Sequence, residues 1–169
     1  MKMLFLVMGL LLNVSGTMAQ TEDCACCTQD HKAFDFWIGT WEVTVGSGAV
    51  AGNNTIVKEQ DGCLLRENWT GATGQFTGTS LNFYNTQTAQ WEQLWIDNSG
   101  NPLKLKGNRI NNQMILSSDP FKQADGREYR NRITWTLNKD KTVRQLWEVL
   151  DDADTPVKIL FDGLYTKKE

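Results

Sequence analysis

The sequence predicts an all-β domain, an antiparallel up-and-down barrel of about ten strands. Short segments rich in β-branched and aromatic residues recur at intervals of roughly 8–14 residues, and turns rich in Gly, Asn and Asp separate them. No segment after residue 19 has the periodicity of an amphipathic helix. Short connections favour the pairing of consecutive strands. We prefer a barrel to a sandwich, because closure removes exposed sheet edges.

The first residues have the features of a secretory signal peptide. Lys2 precedes the apolar run 4–12, and small residues occupy Thr17 and Ala19 before the expected cleavage site. The run is shorter than the roughly 20 residues that span a bilayer, so we expect no stable membrane insertion. The predicted organisation is a signal peptide over 1–19, a Cys-rich N-terminal leader over 20–33 and the barrel over 34–169. The protein is expected to be exported, periplasmic or extracellular.

The charge of the chain excludes some partners. The formal net charge is −3, and loss of Lys2 with the signal peptide would make it −4. Basic residues form no cluster along the sequence. Because nucleic acids and anionic membranes attract basic patches, we expect neither as a partner.

All four cysteines lie between positions 24 and 63. An even number of cysteines in an exported protein predicts disulfides. We expect Cys63 to pair with Cys26 or Cys27, which would tie the leader to a hairpin of the barrel. The alternative is a metal site that uses leader cysteines with His31.

The strands can be placed in chain order from their composition and the turns between them. The second and third are joined at Asp61-Gly62, a strong hairpin signal. The polar and Gly-rich segments between the other strands give the remaining turns. The predicted strands are 34–45, 53–60, 63–70, 76–84, 91–97, 103–106, 113–117, 128–137, 143–150 and 157–166.

Three of these strands carry an acid or amide two residues before a tryptophan. Side chains alternate between the faces of a strand, so each pair shares one face. Broad apolar walls with a few polar groups are typical of ligand cavities. The alternative is a solvent-facing sheet on which Arg stacks on indole. The predicted ligand-binding residues are Glu67, Trp69, Gln93, Trp95, Gln145 and Trp147, together with Arg132 from a fourth strand.

The first strand contains a Gly-x-Trp pair, Gly39 and Trp41, to which we assign a structural role. This motif and segments at 67–71, 80–84, 132–136, 143–148 and 161–165 resemble a widespread family of exported bacterial proteins, the DUF1579 type, grouped with calycin and lipocalin-like barrels. The resemblance covers residues 31–167 and implies a fold but no activity. In such barrels this Trp closes the floor beneath a basic side chain of the last strand. Lys167 or Lys168 would take that place here.

Catalytic and cofactor motifs are sparse. The single histidine, His31, precedes the first strand, so we expect no haem or other cofactor, no zinc enzyme and no hydrolytic triad. A carboxylate pair of Glu67 with Glu42 or Glu148 is conceivable, although Glu148 should face away from Trp147. No catalytic residue is therefore assigned.

Three functions remain open for such a barrel. The preferred one is binding of a small apolar or aromatic molecule. One alternative is an isomerase-like or cyclase-like enzyme that uses a buried carboxylate. The other is an interaction module of the cell envelope, whose interior would be filled by side chains.

Overall fold

The computed structural model describes residues 24–168, and the predicted signal peptide and residues 20–23 lie outside them. Ten strands form the barrel, and a two-residue strand, β8 (Phe121–Lys122), adds to its rim. The ten are β1 (Gly39–Val45), β2 (Val50–Glu59), β3 (Leu64–Gly71), β4 (Thr77–Asn85), β5 (Gln90–Asp97), β6 (Pro102–Ile110), β7 (Gln113–Ser117), β9 (Glu128–Leu137), β10 (Val143–Leu150) and β11 (Pro156–Lys167).

The sheet closes on itself, which confirms the predicted antiparallel barrel. Neighbouring strands follow the order β10-β11-β1-β2-β3-β4-β5-β6-β7-β9, and β9 pairs again with β10. All of these pairings are antiparallel. Closure leaves none of the ten strands with an open edge. We call the end where β1 begins the floor and the opposite end, with the turn between β3 and β4, the mouth.

The prediction that the first strand begins at Phe34 was wrong. Asp35–Trp37 form a short 3₁₀ helix, and β1 starts only at Gly39. Phe34 and Trp37 are both fully buried, and their rings stack 4.9 Å apart. Residues three apart lie on the same side of a 3₁₀ turn, so both rings enter the barrel together. The aromatic residues whose spacing suggested a strand therefore fill the floor of the barrel.

The segment before β1 lies across the floor and is bonded to several strands. Trp91 Nε1 on β5 donates to the carbonyl of Asp30 at 2.9 Å. Asp35 and Lys58 on β2 form an ion pair at 2.8 Å. The Arg109 guanidinium on β6 donates to the carbonyl of Ala33 at 3.1 Å. These contacts with separate strands fix the segment as a plug, which we call the floor plug (residues 24–38).

Two disulfides hold the floor plug. Cys26 bonds Cys63, which confirms one of the two predicted pairings, and Cys24 bonds Cys27. All four thiols are thereby used, so the alternative metal site has no cysteine ligand. Disulfides of this kind indicate a compartment outside the cytoplasm. Within residues 24–168, no helix has the length and apolar character needed to cross a bilayer.

The Gly-x-Trp pair lies at the floor. Trp41 is fully buried, and its Nε1 donates to the carbonyl of Trp37 at 2.9 Å. Lys167 Nζ of β11 lies 5.3 Å from the centroid of the Trp41 ring, a cation–π contact. Gly39 has φ +141°, and a Cβ there would approach Lys167 Cε to 3.1 Å. Glycine at this position therefore lets the basic side chain reach the indole.

Candidate functional site

The mouth half of the barrel contains a cavity of about 500 Å³. Its walls come from β2, β3, β5, β6, β9, β10 and β11, together with the turn between β3 and β4. Six of the seven residues predicted to bind ligand line it: Glu67, Trp69, Gln93, Trp95, Gln145 and Trp147. The structure therefore brings the three polar-then-Trp pairs to one common space.

The cavity has two layers because the three pairs have the same order along the barrel axis. β3, β5 and β10 all run from floor to mouth, so the acid or amide of each pair lies deeper than its tryptophan. Glu67 and Gln93 are buried, with 5% and 4% exposure, whereas the three indoles are only partly buried. We call the acid and amides of the three pairs (Glu67, Gln93 and Gln145) the polar layer, and their tryptophans (Trp69, Trp95 and Trp147) the indole layer.

Two glycines make room for the indole layer. A Cβ on Gly52 of β2 would lie 2.7 Å from Trp69 Cζ2, and one on Gly78 of β4 would overlap ring carbons of Trp95. Real side chains do not approach so closely, so each indole depends on a neighbouring strand that lacks a Cβ. Each ring thus occupies space beside a strand that a side chain at the glycine would otherwise fill.

A β-bulge adds a further aromatic wall. The register between β10 and β11 shifts after Trp147, where Phe161 pairs with Trp147 and Ile159 with Glu148. The extra residue, Leu160, lines the cavity together with Phe161, although adjacent residues normally face opposite sides. The Phe161 ring packs edge-on against Trp69 at 6.1 Å between centroids.

Glu67 lies at the centre of a buried hydrogen-bonded cluster. Asn54 Nδ2 donates to one of its carboxyl oxygens at 2.7 Å, and Ser80 Oγ donates to the other at 2.5 Å. Asn82 Nδ2 donates to Ser80 Oγ at 2.8 Å, and Gln93 Nε2 donates to Asn82 Oδ1 at 2.6 Å. The donors on this side therefore all point towards the carboxyl group.

The cluster continues on the other side of Glu67. Asn54 Nδ2 also donates to the Tyr165 hydroxyl at 3.3 Å, and that hydroxyl donates to Gln145 Oε1. Asn54 Oδ1 has no hydrogen-bond partner among residues 24–168. The polar layer is thus part of a connected hydrogen-bond network, whose members lie on β10, β11, β2, β3, β4 and β5.

Burial changes the titration of both acidic groups in this network. Desolvation raises the pKa of Glu67 from 4.5 to about 7, although the hydrogen bonds from Ser80 and Asn54 oppose the change. Desolvation also raises the pKa of Tyr165 well above its usual value, and the nearby Glu67 carboxylate adds to that effect. Glu67 therefore changes its charge near neutral pH, whereas Tyr165 stays neutral.

Arg132 does not belong to the cavity, so its placement among the ligand-binding residues is corrected. It faces outwards from β9, opposite Glu148 on β10, and the two form an ion pair at 3.0 Å. Successive side chains of a strand face opposite sides, and Ile133 and Trp135 of β9 line the cavity, so Arg132 must face outwards. Glu42 is exposed on β1, so neither Glu42 nor Glu148 forms a carboxylate pair with Glu67.

Sequence reasoning missed the residues that complete the network: Asn54, Ser80, Asn82 and Tyr165. A signal existed for two of them, since Ser80 and Asn82 are two apart on β4 and share a face. In the observed register they lie directly opposite Glu67 and Gln93, respectively. The other two come from strands distant in sequence, and no local pattern pairs them with Glu67.

His31 lies in the floor plug, away from the cavity. Its Nδ1 is 2.7 Å from Thr28 Oγ1, and its ring packs edge-on against Tyr84 at 5.2 Å. It does not line the cavity. The described residues 24–168 contain no group of three or more potential metal ligands.

Sequence comparison does not assign a function to this site. No family model matches the chain, and no curated protein is significantly similar to it in sequence. A barrel fold by itself is compatible with many activities. The chemistry of the cavity is therefore the basis for a functional proposal.

Proposed function

We propose that this chain is an exported barrel that binds a small, largely apolar or aromatic molecule in the mouth-half cavity. The observation that carries the proposal is the arrangement of three indoles around a space of about 500 Å³ above a layer of polar groups. Ligand sites commonly have volumes of roughly 300–1,000 Å³, with apolar walls and a few orienting polar groups.

The energetics of the cavity support an occupant. Burial of apolar ligand surface against the indole layer stabilises a complex by about 25 cal/mol per Å². Glu67 and Gln93 lie at depth, and hydrogen bonds within the network fix their orientation towards the space. A ligand that reaches the polar layer can satisfy the hydrogen-bonding capacity that faces the space. The apolar walls and the polar groups at depth thus favour one orientation of the bound ligand.

Export is part of the proposal. The apolar run after Lys2 and the small residues before position 20 are typical of a secretory signal, and two disulfides need an oxidising compartment to persist. The resemblance to exported calycin-like bacterial proteins has the same implication. We propose a periplasmic or extracellular location.

A titration with the neutral fluorescent probe N-phenylnaphthylamine tests binding. We expect saturable binding to the wild-type protein, and about tenfold weaker binding to Trp147→Ala because one indole wall is lost. Phe83→Ala is the matched control, since Phe83 is a half-buried aromatic residue on the outer face of β4. Native mass spectrometry of protein from its own source should show a co-purifying small molecule. Absence of saturable binding would reject the proposal.

Glu67 favours a second candidate function, an isomerase-like or cyclase-like enzyme. Its pKa of about 7 is the value expected of a general acid or base at neutral pH, and it lines the cavity. Such an enzyme would exchange a proton next to the carbonyl of a bound ketone with solvent. Incubation of the wild-type protein with naphthyl methyl ketone in D₂O tests this, with Glu67→Gln as the comparison. Equal deuterium incorporation with both proteins would reject catalysis by Glu67.

The third possibility, an envelope interaction module, has less support. It was expected to have an interior filled by side chains, and the mouth half is open instead. Apolar residues on the outer face, such as Leu81, Leu94 and Ile96, are each 40–45% exposed. Leu81 and Leu94 lie opposite each other in the register of β4 and β5, and a small group of exposed apolar side chains is ordinary for protein surfaces.

A further inference from the structure

We propose that the ligand carries a positive charge, and that Glu67 pairs with it: the cavity accepts a protonated amine attached to an aromatic or apolar body. This inference rests on the proposed binding function and specifies the chemical class of its ligand. It follows from the charges at the cavity, the direction of the hydrogen bonds around Glu67 and the nature of the walls.

The cavity contains one carboxyl group and no basic side chain. Among the described residues that line it, Glu67 is the only Asp or Glu, and none is Lys, Arg or His. Buried carboxylates are usually paired with a cation, because an isolated buried charge is costly. Seven ion pairs occur among residues 24–168, and Glu67 takes part in none of them. A cationic ligand would supply the missing partner.

The hydrogen bonds around Glu67 suit its ionised form. Asn82 uses its Nδ2 for the Leu65 carbonyl and Ser80 Oγ, and its Oδ1 accepts from Gln93. The Ser80 hydroxyl proton is therefore directed to Glu67, whose other oxygen accepts from Asn54. Each carboxyl oxygen thus already accepts a hydrogen bond, an arrangement that favours the charged form. These bonds offset part of the desolvation that favours the neutral carboxyl group, and a cation at Glu67 would complete the stabilisation of the carboxylate.

The walls of the cavity also suit a cation. Trp69, Trp95 and Trp147 form the indole layer immediately above the polar layer. Indole faces attract cations, and the attraction is stronger when both groups are desolvated. An ammonium group placed at Glu67 would therefore lie beneath aromatic faces while the rest of the ligand packs among them. A carboxylate ligand would instead meet Glu67 as a like charge.

The charge of the ligand predicts the pH dependence of its binding. Asn54 of β2 and Ser80 of β4, which contact Glu67, are neutral, and Tyr165 of β11 is the other titratable group of the network. Since the pKa of Tyr165 is raised, Glu67 alone changes charge near neutral pH. A cation binds the ionised form, so binding near pH 7 should release the proton that Glu67 holds in part of the molecules.

Three ligands of the same shape test the proposal: naphthylmethylamine, naphthylmethanol and naphthoate, each titrated by calorimetry. At about pH 8 we expect the amine to bind at least tenfold more tightly than the alcohol, and naphthoate most weakly. Between about pH 8 and pH 5.5 the affinity for the amine should fall about 30-fold, as the ionised fraction of a group with a pKa near 7 does. The affinity for the alcohol should stay unchanged.

A variant and a proton count complete the test. Glu67→Gln should remove the preference for the amine, whereas Glu42→Gln, an exposed carboxylate on β1, should preserve it. Should Glu67→Gln fail to fold, titrations of the wild-type protein in two buffers give the same information. Binding of the amine at about pH 7 should release roughly half a proton. Equal affinity for amine and alcohol, or no proton release, would overturn this proposal and leave the binding function intact. Failure of all three compounds to bind would count against both.

Discussion

The floor half and the mouth half of the barrel use the same strands in different ways. On β3, β5 and β10, the inward residues nearest the floor are apolar: Leu65, Trp91 and Val143. Two residues further along each strand comes the polar layer, and two further comes the indole layer. The floor half is filled by the floor plug, which contributes the Phe34 and Trp37 rings, and by Trp41, whereas the mouth half encloses open space. Stability is therefore concentrated at one end and the candidate site at the other.

This division suggests that the two halves respond differently to mutation. In a close-packed region, removal of a large side chain leaves a cavity and costs transfer free energy. Around an existing cavity, the same removal enlarges a space already present and affects mainly the ligand. Substitutions at the floor should thus lower the free energy of unfolding, and those at the mouth should change binding.

Trp41→Ala at the floor should have the largest effect. The side chain is fully buried and donates a hydrogen bond to Trp37, so we expect a loss of about 3–5 kcal/mol in the free energy of unfolding. Trp95→Ala at the mouth is the matched comparison and should cost about 1 kcal/mol, because that indole is only partly buried. Urea unfolding of both variants measures the difference. Equal midpoints would show that the two halves contribute alike.

Removal of the Cys26–Cys63 disulfide should come next. It closes a loop with a sequence separation of 37 residues, for which chain entropy gives about 4 kcal/mol of stabilisation. The double variant Cys26→Ser with Cys63→Ser should lose that amount. The control is Cys24→Ser with Cys27→Ser, whose bond spans a separation of 3 and should contribute about half as much. A smaller loss for the first pair than for the second would contradict the role of a floor tether.

Glu67 should make the mouth half sensitive to pH. Its pKa rises from 4.5 to about 7 on folding, so the folded protein holds the proton more tightly than the unfolded chain. The resulting stabilisation is complete below about pH 4.5 and is lost as pH rises through 7, a change of about 3 kcal/mol. Glu67→Gln should abolish this component, whereas Glu42→Gln should retain it. Unfolding curves at several pH values measure it, and parallel pH profiles for wild type and Glu67→Gln would contradict it.

Gly78→Ala should have a small effect on stability and a selective effect on the cavity. The new methyl group would overlap the Trp95 ring and push the indole into the open space. We expect a cost of about 1–3 kcal/mol, as for overpacking, and about tenfold weaker binding of the fluorescent probe. Gly46→Ala is the control, since a Cβ there meets nothing within 4 Å. Unchanged probe affinity for Gly78→Ala would place the binding site elsewhere.

Local patterns in the sequence were enough for the barrel and for much of the cavity. Strand segments could be located from composition and turns, and the two-residue alternation of Glu67 with Trp69 put both on one face. The same rule, applied strictly to β9, would have put Arg132 outside, because Ile133 and Trp135 are the apolar face of that strand. That error came from treating a polar residue near tryptophans as part of the site.

Features that depend on contacts between distant segments could not be predicted. The position of Asn54 and Tyr165 beside Glu67 requires the register of β2, β3 and β11, which no local pattern contains. The floor plug is similar, since residues 34–38 have strand-like composition and take a 3₁₀ turn only because the barrel end accepts their rings. Tertiary packing overrode local propensity there.

The central claim is that the mouth-half cavity is a ligand site, and a crystal structure with bromonaphthalene tests it most directly. Bromine gives an anomalous signal that locates the compound independently of the surrounding electron density. We predict one strong bromine peak inside the barrel, in contact with the indole layer of Trp69, Trp95 and Trp147 and above Glu67. Bromine only on the outer surface at saturating compound, with side chains filling the mouth half, would contradict it.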